Sequence, residues 1–187
     1  MNPSTEDMLE AIDHVNAENI FILPNNKNII LAAEQAAKLT AEKRIIVLPT
    51  KTIPQGISAM VGYMPELDVE ENIDSMEECY QNIMSGQVTY AVRDTTINGR
   101  TIRNGDIMGI NDEGIQAVGS DVEQTTLDLI SKMVDADSEL ISLYYGETVT
   151  KEQAAALTAK VEGRFPDVEV ETNFGGQPIY YYMVSVE

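Results

Sequence analysis

Apolar positions follow a helical period at the start of the chain, switch to a two-residue period in the middle, and mix the two patterns towards the end. Met8, Leu9, Ile12 and Val15 share one face of a helix that Ser4 is placed to cap. Asn19-Ile20-Phe21-Ile22-Leu23 is a short continuous apolar run, the signature of a strand buried on both faces of a parallel sheet, and Pro24 ends it. Asn25-Asn26-Lys27-Asn28 then opens a helix with Ile29, Ile30, Ala33 and Ala37 turned inward. A second buried strand, Arg44-Ile45-Ile46-Val47-Leu48, stops in the same way at Pro49. The spacing predicts a right-handed β-α-β crossover. A short helix over 54–63 and a longer one over 69–84 follow, the second carrying Val69, Ile73, Met76, Tyr80 and Ile83 at helical spacing. Val88, Tyr90 and Val92 alternate over 87–94 and predict a third strand.

Beyond that point tight-turn signals dominate. Asn98-Gly99, Asn104-Gly105 and Asp112-Glu113-Gly114 separate short strands at 100–103, 107–110 and 115–118, an antiparallel meander. Ser120 and Glu123 read as a capping box for a helix to about residue 134. The remainder reads β-α-β-β: a strand over 140–145, a helix that Thr150 and Gln153 cap, and strands over 168–172 and 179–186 around Phe174-Gly175-Gly176-Gln177-Pro178. The fold class is therefore α/β: an open sheet with a Rossmann-like β-α-β start, then an antiparallel meander and a β-α-β-β unit. No low-complexity linker interrupts the chain, so a boundary belongs in a turn. The turn near Gly119 suggests a Rossmann-like α/β subdomain with hairpins over 1–118 and an α+β subdomain over 119–187.

Composition narrows the function classes. Twelve basic residues against 31 acidic ones give a net charge of −19, which disfavours nucleic acid and anionic lipid and favours basic surfaces. No apolar run approaches the roughly 20 residues that span a bilayer, so no membrane insertion is expected. Cys79 is the one cysteine; no internal disulfide is possible, and a cytoplasmic location is expected. Helix follows almost at once on Met1-Asn2-Pro3-Ser4-Thr5, as in a chain cut at a domain boundary and equally as in a compact native start.

Candidate chemistry gathers after the first two strands. Leu23-Pro24-Asn25-Asn26-Lys27 and Leu48-Pro49-Thr50-Lys51-Thr52 both bring polar side chains and a lysine to a strand's carboxyl end, where open α/β sheets bind ligands. Asn25, Asn26, Lys27, Thr50, Lys51, Thr52, Gln55 and Gly56 are accordingly candidates for one crevice binding a partner or an anionic or polar ligand. The same residues serve as helix caps, and the prolines as punctuation, in ordinary strand-to-helix loops. No G-x-G-x-x-G follows the first strand and no G-x-x-x-x-G-K-[ST] occurs. His14 and Cys79 each lack the neighbours that metal binding or a reactive thiolate requires, so no catalytic residue, metal or cofactor is expected. Tyr144, Tyr145, Tyr180, Tyr181 and Tyr182 suit strands, with one set packed and the other partly exposed. Between Lys51 and Arg93 there is no basic residue, while Glu66, Asp68, Glu70, Glu71, Asp74, Glu77 and Glu78 fall within that gap. Glu70 and Glu71 complement a helix dipole; Asp74, Glu77 and Glu78 are candidates for docking a basic partner, against the plainer reading of a solvated face.

Four stretches together carry a family likeness: Met1-Asn2-Pro3-Ser4-Thr5-Glu6-Asp7, Ile22-Leu23-Pro24-Asn25-Asn26-Lys27-Asn28-Ile29, Leu48-Pro49-Thr50-Lys51-Thr52-Ile53-Pro54-Gln55-Gly56, and Gly175-Gly176-Gln177-Pro178 through Ser185-Val186-Glu187. They resemble the C-terminal region of the bacterial fatty acid kinase A-subunit family, also described as dihydroxyacetone-kinase-like or DAK2-domain-containing. The resemblance implies a fold related to the DegV and dihydroxyacetone kinase class. It implies that an N-terminal domain of the full-length chain binds ATP and magnesium and phosphorylates the carboxylate of a fatty acid, in phospholipid synthesis. A separate fatty-acid carrier of the DegV family presents that acid, and the C-terminal region engages the carrier. These 187 residues hold no such ATP-binding domain, so the expected role is a non-catalytic, partner-binding domain whose partners are the carrier and the N-terminal kinase domain. His14 is not placed like the substrate-binding histidine of dihydroxyacetone kinases, and no DegV-type T-S-D motif is present. Three rival roles stay open: a small-ligand or lipid-binding module using the crevice above Lys27 and Lys51, a phosphate-ester hydrolase, for which Asp/His metal clusters are missing, and a scaffold that orients the kinase domain.

Overall fold

A computed structural model describes residues 2–97 and 99–187, which divide into two compact units, Met1–Ile83 and Met84–Glu187. The first contains α1 (Thr5–His14), β1 (Asn19–Ile22), α2 (Lys27–Leu39), β2 (Arg44–Val47), α3 (Ile53–Val61) and α4 (Val69–Gln81). β1 and β2 pair in parallel, Ile20 against Ile45 and Ile22 against Val47. Period-two alternation sends their side chains to opposite faces. Ile20, Ile22, Ile45 and Val47 pack with Met8, Ile12, Ala33 and Ala36 of α1 and α2. Phe21, Leu23, Ile46 and Leu48 pack with Ala59, Ile73, Met76 and Tyr80 of α3 and α4. That two-sided cover is why both strands read as unbroken apolar runs.

Each helix starts where its cap dictates. Ser4 and Asp7 form a capping box on α1, Asn26 caps α2, Thr52 caps α3 with Pro54 in the first turn, and Asp68 and Glu71 form a capping box on α4. The carboxyl end of α1 is closed by Lys43, whose Nζ donates to the carbonyls of Ile12 at 2.7 Å and Val15 at 2.8 Å. An ammonium there meets orphan carbonyls and the negative end of the helix dipole.

The second unit contains β3 (Met84–Tyr90), β4 (Thr95–Ile97), β5 (Arg100–Ile102), β6 (Ile107–Asn111), β7 (Gly114–Gly119), α5 (Val122–Met133), β8 (Leu140–Tyr145), α6 (Lys151–Arg164), β9 (Glu169–Phe174) and β10 (Tyr182–Val186). Six of these strands form one mixed sheet in the order β7-β6-β3-β10-β8-β9, in which only β8 and β9 are parallel. β4 and β5 form a separate two-stranded ribbon. The Asn98-Gly99 turn signal falls between them, with Asn98 outside the described residues. A single core joins Val88, Leu129, Ile130, Met133, Ile141, Leu143, Leu157, Val161, Tyr182 and Val184. Gly109 admits Leu129 closely, since a Cβ there would lie 2.9 Å from the leucine Cβ.

Three expectations change. The third strand does not extend the β1–β2 sheet: β3 has antiparallel partners on both sides, β6 along Gly86–Tyr90 and β10 along Met84–Val88. The division falls at Ile83/Met84 and not near Gly119, because the ladders of one sheet run on both sides of residue 119 and place that turn inside the second unit. The cap of α5 is Asp121, whose carboxylate accepts from the Gln124 amide at 2.7 Å, one residue beyond Ser120. The box at Thr150 and Gln153 is formed on α6.

Candidate functional site

In-register parallel pairing carries the segments after β1 and β2 to the same edge. There Asn25 adopts the left-handed conformation, φ 57°, which asparagine tolerates better than most residues. Its amide donates to Thr50 Oγ1 at 3.1 Å, and the Thr50 hydroxyl donates back to Asn25 Oδ1 at 2.8 Å. Thr50 is 0% exposed. Gln55, also buried, accepts from the Lys51 amide at 2.8 Å through Oε1. Gly56 completes the contact: a Cβ there would stand 2.1 Å from Asn25 Oδ1 and would displace that side chain from Thr50.

Of the crevice candidates, Asn25, Thr50 and Gly56 come together as a lock between the two loops, while Gln55 braces the second loop through the Lys51 amide. Asn26 and Thr52 cap α2 and α3. Lys27 and Lys51 are exposed, each just past the carboxyl end of its parallel strand. Two ammonium groups and two helix N-termini along one edge favour negative charge there.

On α4 the apolar stripe faces inward, with Met76 and Tyr80 buried and Ile73 packed beside them. Asp74 and Glu78 are exposed and Glu77 is half-buried. Burial first, and then the Glu77 carboxylate, push the Tyr80 phenol above its ordinary range. The basic gap in the sequence is partly filled in space: Arg44 of β2 reaches Glu70 at 2.5 Å, an exposed pair of small energetic weight.

Sequence reasoning missed Asn72, which is 2% exposed. Its Oδ1 accepts from the Met64 amide at 2.8 Å, and its Nδ2 donates to the carbonyls of Met64, Leu67 and Asp68 at 2.9, 3.1 and 3.0 Å. One side chain thus fixes the whole α3–α4 connection; the signal was a polar residue beside an otherwise apolar stripe. Ser58 and Ser75 add to it by donating to the carbonyls of Cys79 and Gly62, both at 2.8 Å. A cavity of about 470 Å³ beside the connection is walled by Glu18, Phe21, Tyr63, Leu67 and Asp68.

The second unit carries a cavity of about 650 Å³ lined by Thr101, Gln116, Asp128, Ser131, Lys132 and Arg164. Another of about 300 Å³ lies along α6 beside Tyr145, Ala155 and Thr172. Lys132 Nζ donates to the Gln116 carbonyl. Burial pushes the Tyr182 phenol up to about 12, with the Glu123 carboxylate adding to it. His14 is exposed and its Nδ1 lies 2.7 Å from the Glu10 carbonyl. Among the described residues no helix is long and apolar enough to cross a membrane, and no three His, Cys, Asp or Glu side chains are grouped to hold a metal ion.

The FakA-like C-terminal family model, which describes the C-terminal part of the fatty acid kinase A-subunit and proteins like it, matches residues 1–187. Protein YloV of Bacillus subtilis (strain 168) is 43% identical over 187 residues, all of this chain and 34% of its own length. The chain thus spans about a third of that curated relative. Among solved structures, the Streptococcus pneumoniae fatty acid kinase B3 protein loaded with linoleic acid superposes with a TM-score of 0.68 at 14% identity, covering 99% of this chain and 76% of that one. A fatty-acid-binding DegV family protein from Thermus thermophilus gives 0.65 at 14% identity, covering 100% and 78%. The dihydroxyacetone kinase of C. freundii, in complex with AMP-PNP and Mg2+, gives 0.63 at 13% identity, covering 98% and 41%. The α/β fold is that of the DegV and dihydroxyacetone kinase structures.

Proposed function

This chain belongs to the FakA-like C-terminal family of fatty acid kinases, and from that membership we propose that it is a non-catalytic domain that binds a separate fatty-acid carrier of the DegV class. Bound there, the carrier offers its acyl carboxylate to an ATP-binding kinase domain elsewhere in the full-length protein, in the cytoplasm and in the service of phospholipid synthesis. The observation that carries this reading is the family match along residues 1–187. The acidic surface of α4 supports it, since a chain of net charge −19 selects partners that present basic residues. In this reading Asp74, Glu77 and Glu78 steer the carrier, and the edge bearing Lys27 and Lys51 is a second contact region whose geometry the Asn25–Thr50 lock maintains. Calorimetric titration of the chain with the DegV-type carrier of the same organism tests the proposal: a saturable isotherm is expected, and a flat one removes it. Titration with Mg–ATP is expected to be flat, and a micromolar isotherm there would overturn the non-catalytic role.

A second reading, a lipid-binding module in its own right, draws on the fold shared with a protein loaded with linoleic acid. Native mass spectrometry of the purified chain separates the two, because a lipid-binding module retains an acyl mass that a docking domain lacks.

A further inference from the structure

We propose that the outer face of α3 is the apolar centre of a protein-docking surface, and that its occupant is a partner protein bearing an apolar patch rimmed by lysine and arginine. The inner face of α3 is spent on the fold: Pro54, Gln55, Gly56 and Ala59 are buried. Ile57, Met60 and Val61 lie on the opposite face at spacings of three and four, with Tyr63 and Met64 just beyond, and all are exposed. Met60 is 68% and Val61 77% exposed. Single exposed apolar side chains are ordinary, but a contiguous ridge of aliphatic, methionine and tyrosine side chains is the composition of an interaction site.

The ridge is held rigidly. Ser58 and Ser75 tie α3 to α4, and Asn72 fixes both the amide and the carbonyl of Met64, so a partner meets a surface already ordered. Tyr63 also walls the 470 Å³ cavity, alongside the carboxylate-bearing Glu18 and Asp68, and so continues the apolar face into an acidic recess.

Charge selects the occupant. Glu66, Asp68, Glu70, Asp74 and Glu78 are exposed on the connection and on α4 next to the ridge, and no lysine or arginine occurs between Lys51 and Arg93. Only the Arg44–Glu70 pair is an ion pair found within this frame among the described residues. A second copy of the chain would set one acidic frame against another, which like-charge repulsion opposes. Anionic lipid is repelled in the same way, and the polar flank of the helix lacks the bases that membrane-surface helices carry. A basic-rimmed protein surface satisfies both the ridge and its frame.

The inference rests on the carrier-binding reading and adds the surface that does the binding. The test uses the whole chain, with Met60→Ser/Val61→Ser as the ridge variant and Val92→Ser, 75% exposed in the second unit, as the comparison. The probe is the DegV-type carrier of the same organism loaded with linoleic acid, titrated by calorimetry. At least tenfold weaker binding is expected for the ridge variant, at unchanged helix content and melting temperature, with Val92→Ser binding like the parent. Equal affinity of parent and ridge variant overturns the ridge and leaves carrier binding in place. No binding by the parent overturns both. Sedimentation showing a dimer of the parent that the ridge variant abolishes would make a second copy the occupant and also overturns the proposal.

Discussion

The first unit places helices on both faces of two parallel strands, and its interior is split into two small clusters that the sheet keeps apart. The second unit gathers the interior residues of its six-stranded sheet and helices into one continuous cluster. Exposed apolar side chains follow the same division. In the second unit they fall on several strands and loops, as at Val92, Phe174 and Ile179, whereas in the first, besides Val15, Leu31 and Leu39, five lie together on and just after α3. α3 keeps an apolar face that the two small clusters do not use. The larger continuous core thus lies in the second unit, and the exposed apolar ridge of α3 in the first.

Core truncation should break the comparison most visibly. Leu143→Ala removes a side chain with no exposure from the middle of the large cluster, and the close-packed surroundings leave a cavity. A loss of about 2–5 kcal/mol is expected, towards the upper end. Leu48→Ala, in the smaller cluster against half-exposed strand residues, should fall towards the lower end because its surroundings relax more easily. Urea unfolding of both variants measures this, and equal losses would dissolve the contrast between the cores.

Alkaline pH gives a second probe of the large core. The Tyr182 phenol, ordinarily near 10, is raised to about 12 by burial and by Glu123. Between those values the unfolded chain releases the proton while the folded chain keeps it, so stability falls as pH rises from about 10 to about 12. The loss is on the order of 2–3 kcal/mol. Tyr80 in the first unit and Tyr144 in the second shift in the same direction and add to the fall. Tyr182→Phe should flatten the decline measured by denaturation at pH 9 to 12; an unchanged slope would remove Tyr182 as its source.

The loop lock tests the first unit locally. Thr50→Val keeps the shape but strands the Asn25 amide and Oδ1 inside the contact. A loss of about 1–3 kcal/mol is expected, seen by hydrogen exchange as reduced protection over Ile53–Val61 while β8 and β10 keep theirs. Protection lost equally in both units would mean that the lock is not local.

What the sequence disclosed follows from how far each signal reaches. The β1-α2-β2 start was legible because continuous apolar runs, a proline stop and an asparagine cap are all local, and the helix stripe of α4 was legible for the same reason. The partners of β3 were not, since its alternation suits any half-buried strand, and ladder partners as distant as Tyr182–Val186 leave no trace in the strand itself. The Gly119 turn was legible as a turn, but a turn inside one sheet and a turn between units share the same chemistry. At the candidate site, proximity of the two loops followed from parallel pairing alone. That Asn25, Thr50 and Gly56 would be locked to one another did not, because it depends on a left-handed asparagine meeting a glycine in a different helix. Asn72 stayed hidden because its partners are backbone groups, which any sequence supplies.

The smallest expected effect on stability belongs to the acidic face, and it separates steering from mere solvation. Asp74→Asn, Glu77→Gln and Glu78→Gln together remove three negative charges from α4 without touching its buried stripe of Met76 and Tyr80. Mutual repulsion of exposed carboxylates is largely screened beyond about 8–10 Å, so the melting temperature should stay level or rise slightly. The rise would come from easing the like-charge repulsion between Asp74 and Glu78, four residues apart on one helix. Association is where the charges act: a field that draws in a basic partner raises the rate of encounter far more than it slows release, and salt weakens it. Surface plasmon resonance with the carrier should therefore show a several-fold slower on-rate for the triple amide at low salt, converging on the parent at physiological salt, with off-rates nearly equal. A ridge variant should show the reverse, with normal capture and rapid release, because apolar contacts form only after encounter. Equal on-rates for the triple amide and the parent at low salt would leave Asp74, Glu77 and Glu78 with solubility as their whole role.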